Sequence, residues 1–172
     1  MNASTDRERA LEQSVFDEWP PALRAAFDGT SLETKVGFTA SLITRDDNGH
    51  LRTSLLGVGE LYAPDSRTLC LALWPQSRAA RAMAKGGRAA LTFVFDDAFY
   101  QVQLDIEPLP DTGGGLACFT GSIDTGEAQR VRYARLTGGI AFELEGERET
   151  VIDRWKQQIE HLKKTAGASP GR

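Results

Sequence analysis

Ser77, Arg78 and Arg81 are the residues whose types and spacing best suit a chemical task, the capture of an anion. They open a stretch, residues 78–85, that reads as a short helix ended by Gly86 and Gly87. A serine placed just before the first turn can cap it, accepting from an N–H that has no intrahelical partner. The two arginines then sit at the positive end of the helix dipole, unfavourable by roughly 0.3–1 kcal/mol per charge unless an anion lies there. With an anion the sign reverses. A hydroxyl, two guanidinium groups and free N–H donors together make a phosphate site.

Other chemically capable residues read more simply. His50 adjoins an Asn-Gly turn and is expected in solvent, as is His161, which lies off the apolar stripe of its segment. Cys70 and Cys118 are far apart, flanked by apolar residues and without metal-ligand spacing, so both are expected as reduced core thiols. No metal is expected. Gly113, Gly114 and Gly115 lack the lysine and spacing of a nucleotide-phosphate loop. No side chain stands out as a general acid or base, so catalytic residues stay unassigned.

Composition bounds the partners. With 172 residues, 41% hydrophobic and 26% charged, the chain can bury one good core. A net charge of -4 and a pI near 5.3 argue against a nucleic-acid surface, which needs clustered basic charge. No apolar run approaches the ~20 residues of a membrane span, and the N-terminus is too acidic and polar for a signal peptide. A cytoplasmic protein without membrane contact is the expectation.

The elements that must position the anion site follow from periodicity. Residues 1–33 read as an N-terminal helical arm: Ser4, Thr5 and Asp6 are capping candidates for a helix through Phe16, and a second short helix continues past Pro20 and Pro21 to about Phe27. Leu11, Val15, Trp19, Leu23 and Phe27 recur every four residues. From Thr34 the pattern changes. Val36, Phe38, Ala40 and Leu42 alternate with polar or small residues as in a half-buried strand, and Asp46 to Gly49 turns the chain into a partner strand over 50–61. Further strands are expected over 69–74, 89–95, 99–106, 116–123 and 139–144, with a polar connection over 124–135 that includes a helical turn. Ile152, Trp155, Ile159 and Leu162 form the apolar stripe of a C-terminal helix over 149–164. The expected organisation is a barrel over 34–146, a C-terminal helix packing on it over 147–165 and a disordered tail over 166–172. Short strands with one embedded helix suggest a small antiparallel barrel, mainly β within the α+β class.

Three segments within this frame resemble the flavin-binding split barrels related to pyridoxamine 5'-phosphate oxidase. Arg52-Thr53-Ser54-Leu55-Leu56 looks like that family's second-strand run, whose arginine helps hold the flavin phosphate while the strand lies along the isoalloxazine. Ser77-Arg78, the helix and Arg88-Ala89-Ala90-Leu91 fall in the register of its phosphate-binding stretch. Tyr100-Gln101-Val102-Gln103 is similar to a run whose glutamine contacts the flavin. The resemblance covers roughly residues 34–144 and implies a split antiparallel β-barrel, a homodimer with FMN at the subunit interface, and Arg52, Thr53, Ser54, Leu55, Ser77, Arg78 and Gln101 as cofactor-binding residues.

The departures shape the functional expectation. The lysine that follows Ser-Arg in the oxidase is Ala79 here, leaving Arg81 as its substitute. The lysine ending the second-strand run is Gly57, and the C-terminal Arg-Leu-His segment has no counterpart. Both serve the oxidase's own substrate. The resemblance therefore implies an FMN-dependent oxidoreductase acting on a small organic substrate rather than a pyridoxamine 5'-phosphate oxidase. A flavin- or haem-binding module without turnover, for storage or sensing, and a deazaflavin-dependent reductase are the alternatives.

Overall fold

Period-two alternation organises the middle of the chain in the computed structural model, which describes residues 11–168. The strands are β1 (Leu11–Phe16), β2 (Ala40–Arg45), β3 (Leu51–Leu56), β4 (Leu61–Tyr62), β5 (Thr68–Leu73), β6 (Gly87–Phe95), β7 (Ala98–Pro108) and β8 (Ala117–Val131). The helices are α1 (Pro21–Ala26), α2 (Arg78–Met83) and α3 (Arg148–Ala168), with 3-10 turns at Leu32–Thr34 and Val58–Glu60. All pairing is antiparallel, in the order β3-β2-β6-β7-β8-β5-β4. The sheet curls into a split barrel.

One edge of β8 carries β7, while its other edge is shared by β5, from Leu73 opposite Ala117, and β1, from Leu11 opposite Val131. A register shift opposite Gln103 and Leu104 leaves Asp124 as the extra residue of β8, a bulge that bends a long strand. Asp96 and Asp97, with φ of 47° and 64°, make the tight turn between β6 and β7, where aspartate tolerates the left-handed region.

Alternate residues of β7, Ala98, Tyr100, Val102, Leu104 and Ile106, point into the barrel with Leu42, Leu91, Leu23 of α1 and Phe27 just after it. Phe93 stacks on Tyr100 at 5.2 Å and meets Phe27 and Phe38 edge-on at 5.6 and 5.7 Å. A second core lies outside the sheet, where the α3 stripe Ile152, Trp155, Ile159 and Leu162 covers Val58, Cys70, Ala72 and Cys118. Both cysteines are free and buried, as their apolar flanks imply. None of the described helices is long and apolar enough to cross a membrane.

Several expected boundaries move. Leu11–Phe16 is a strand, not helix: the β8 edge beyond β5 offers unpaired backbone groups, and Leu11 and Val15 stay exposed, so no apolar face is gained by coiling. The four-residue spacing marks core only from Trp19 onward. The strand expected from Thr34 begins at Ala40, and the one expected over 50–61 breaks at Gly57 into the 3-10 turn and β4. Residues 124–131 extend β8 instead of forming a connection with a helical turn. Residues 139–144 form no strand; Phe142 instead sets its ring against Trp155 at 6.2 Å. The tail expected over 166–172 is helical through Ala168. Ser4, Thr5, Asp6 and residues 169–172 lie outside the described residues.

Gly59, in the 3-10 turn, lies directly against the Trp155 side chain of α3. A Cβ there would overlap the Trp155 indole, whereas one at Gly57 would make ordinary contact with Phe142 at 3.6 Å. Gly59→Ala should therefore cost about 1–3 kcal/mol of stability through forced repacking, and Gly57→Ala much less. Urea unfolding of the two variants checks this; equal midpoints would mean that Trp155 moves aside freely.

Candidate functional site

The short helix α2 forms where its sequence suggests but ends at Met83, two residues before the expected Lys85, with Gly87 already in β6. Ser77, extended at φ -66° and ψ 151°, accepts the Ala80 N–H on its hydroxyl at 3.1 Å, while Ala79, Ala80 and Met83 turn inward and are buried. The Ser77 hydroxyl keeps its own proton to donate. The N–H groups of Arg78 and Ala79 have no partner among the described residues. Arg78 and Arg81 are exposed and make no ion pair among them, so α2 offers donors and positive charge with no protein acceptor. At six residues its dipole is short, and the hydroxyl, N–H groups and guanidinium count for more.

Beside this turn lies a groove of about 150 Å³. Ser54, Leu55 and Leu56 of β3 form one wall; Ala72 and Leu73 of β5, Trp74, Ser77 and Ala79 form the other. Glu60, Leu116 and Gln158 complete the lining. Leu55 and Trp74 are 56% and 62% exposed, two apolar shoulders of the cleft. Two sequence segments distant in the chain, the β3 run and the Ser77 turn, thus share one cavity.

The other residues singled out from the sequence lie around or away from it. Arg52 is drawn back to the β2–β3 turn, its Nε donating to Asp46 at 3.0 Å. That guanidinium, with the His50 and Asn48 N–H groups, holds the Asp46 carboxyl below its ordinary range against the opposing effect of burial. Thr53 points to the exposed face of β3. Arg81 lines a separate hollow of about 310 Å³ with Pro75, Asp111 and Cys118. Gln101 pairs opposite Thr92 and Glu127 in the middle of the sheet, half-buried and outside the groove. Ala79 lines the groove as a buried methyl group. His161 is half-buried, its ring filling the space that the missing Cβ of Gly114 leaves.

Glu60 and Gln158 were not singled out from the sequence. Glu60 accepts the Gly57 N–H at 2.6 Å on Oε2. Burial pushes its carboxyl up from the ordinary value, opposed by that N–H and by Arg154 on α3. The Gln158 Oε1 atom is buried without a hydrogen-bond partner. A carboxylate within the apolar run Leu55–Tyr62 was the available sign for Glu60; nothing in the α3 sequence marked Gln158 apart from Gln157.

No protein-family model matches the chain. It is similar to the uncharacterised protein YclD of Bacillus subtilis (strain 168), 29% identical over 140 residues that span 80% of this chain and 90% of the relative. Among solved structures it is similar to a Clostridium acetobutylicum protein related to general stress protein 26, of the pyridoxinephosphate oxidase family (TM-score 0.44, 15% identity, 66% of this chain and 90% of the other). An FMN-binding protein from Syntrophomonas wolfei also overlaps it (TM-score 0.43, 11% identity, 61% and 85%).

Glu60 sets a pH dependence. A carboxyl held above its unfolded value binds more protons in the folded chain, so its contribution is present at acidic pH and lost as pH rises through the raised value. Glu60→Gln keeps an oxygen for the Gly57 N–H and removes the charge. Melting temperatures of the two proteins should diverge with rising pH, the variant becoming the more stable; parallel curves would show that the carboxyl titrates as in water.

Proposed function

We propose that the chain is an FMN-binding split barrel, working as a homodimer in the cytoplasm, and that it acts as an oxidoreductase on a small organic substrate. The observation that carries this reading is the single groove in which Ser54 and Leu55 of β3 meet Ser77 at the start of α2. The residues present suit the cofactor. Ser77, the Arg78 and Ala79 N–H groups and the Arg78 guanidinium are donors matched to a phosphate. Leu55 and Trp74 offer apolar surface to a flat ring. Arg52 is tied to Asp46 only by a surface ion pair, a weak bond that a phosphate can replace.

The size of the groove supports the dimer. Ligand sites usually enclose about 300–1,000 Å³, and about 150 Å³ is open in one protomer. A second copy, related by a two-fold axis, would complete each site and cover the exposed Leu51, Leu55 and Trp74. Gln101 can then serve the partner's site instead of its own. The bound flavin would supply the redox chemistry. Ser77 and Arg78 would hold its phosphate, and Ser54 and Leu55 of β3 with Trp74 would hold its ring.

Two measurements test this reading. Arg78→Ala should weaken FMN binding by about 1.5–3 kcal/mol, roughly ten- to hundredfold, through loss of a charge-assisted hydrogen bond. The apo protein should melt at the same temperature or slightly higher, since a positive charge leaves the first turn of α2. Equal affinities in fluorescence titrations would place the phosphate elsewhere. Light scattering should give a dimer when flavin is bound, and a flavin-loaded monomer at micromolar concentration would refute the shared site.

A further inference from the structure

We propose that Gln158 and Glu60 form a hydrogen-bond-accepting subsite in the groove, taking an N–H or O–H donor of the bound flavin. The inference rests on the flavin reading and adds two residues to it, one of them on α3. Gln158 Oε1 is buried with no donor facing it among the described residues. A buried acceptor left unpaired is unfavourable, and native chains rarely keep one without a partner to come. Packing alone does not ask for it. The stripe Ile152, Trp155, Ile159 and Leu162 seats α3 on the sheet, and the residue next to Ile159 could be apolar with no loss of contact.

Glu60 supplies the matching acceptor. Its Oε2 is occupied by the Gly57 N–H, which fixes the carboxyl in place, and the other oxygen has no hydrogen-bond partner among the described residues. Both side chains line the groove that Ser54 and Ser77 line. The cleft is therefore divided by chemistry: donors at the α2 turn, suited to an anion, and acceptors at Glu60 and Gln158, suited to a donor. FMN carries both, a phosphate at one end and, along its length, ribityl hydroxyls and the ring N3–H.

The test compares wild type with Gln158→Leu and Glu60→Gln, titrated with FMN and with lumiflavin, which keeps the ring N3–H and lacks the ribityl hydroxyls; apo melts are recorded alongside. Gln158→Leu should bind FMN about tenfold more weakly while its apo form melts at the same temperature or higher, because an unpaired buried acceptor is gone. Glu60→Gln should also bind more weakly, its amide oxygen turning to Gly57 and its NH2 opposing the ligand's donor. A Gln158→Leu loss that persists with lumiflavin assigns the donor to the ring, and one confined to FMN assigns it to the ribityl chain; both support the subsite. Gln158→Met replaces the leucine variant if that fails to fold. Unchanged FMN affinity in either variant, or an affinity loss accompanied by a lower apo melting temperature, overturns the subsite. Wild type that fails to bind FMN overturns the flavin reading itself.

Discussion

The sharing of β8 among three partner strands is the constraint on which the rest of the structure depends. Its 15 residues pair with β7 along one edge and with β5 and then β1 along the other. β5 leads into Trp74 and the α2 turn, so the ladder between β5 and β8 fixes where Ser77 stands. β7 holds β6, which holds β2 and so β3, the opposite wall of the groove. The two walls are thus neighbours in space but five places apart in the sheet, brought together only because the sheet curls. The Asp124 bulge, where Arg88 donates to the carboxylate at 2.8 Å, is the irregularity at which this long strand bends.

The C-terminal helix acts on the groove as well as on stability. α3 seats its indole directly on Gly59, and the same 3-10 turn presents Glu60 one residue later. Packing and polar chemistry are therefore coupled: a shift of α3 would move Gln158 and Glu60 together. The raised carboxyl of Glu60 records the burial that this seating imposes.

Legibility in the sequence followed the strength of local patterning. β5, β6 and β7 were readable because their alternation or apolar continuity is unbroken, and α2 because Ser77 and the Gly86–Gly87 pair punctuate it. β1 was not, because an exposed edge strand carries no apolar period and is set by backbone groups of β8 far away in the chain. Residues 124–131 misled for the same reason: with only Ala128 and Val131 as apolar side chains they show no apolar period, and they are held by pairing on two sides. At the candidate site, Ser54, Leu55 and Ser77 were legible as parts of patterned segments. Gln158 was not, since its role depends on which face of α3 meets the groove, and that is decided by tertiary packing.

The second core also governs how the chain meets oxidants and alkylating reagents. Burial pushes the Cys70 thiol up to about 11 and the Cys118 thiol above its ordinary value, so at neutral pH both remain protonated and poorly nucleophilic. A cysteine introduced on the open face of β1, at the exposed Val15, would then be the one fast-reacting thiol in the chain. It would give a single attachment point for a fluorophore or spin label on a strand that does not line the groove.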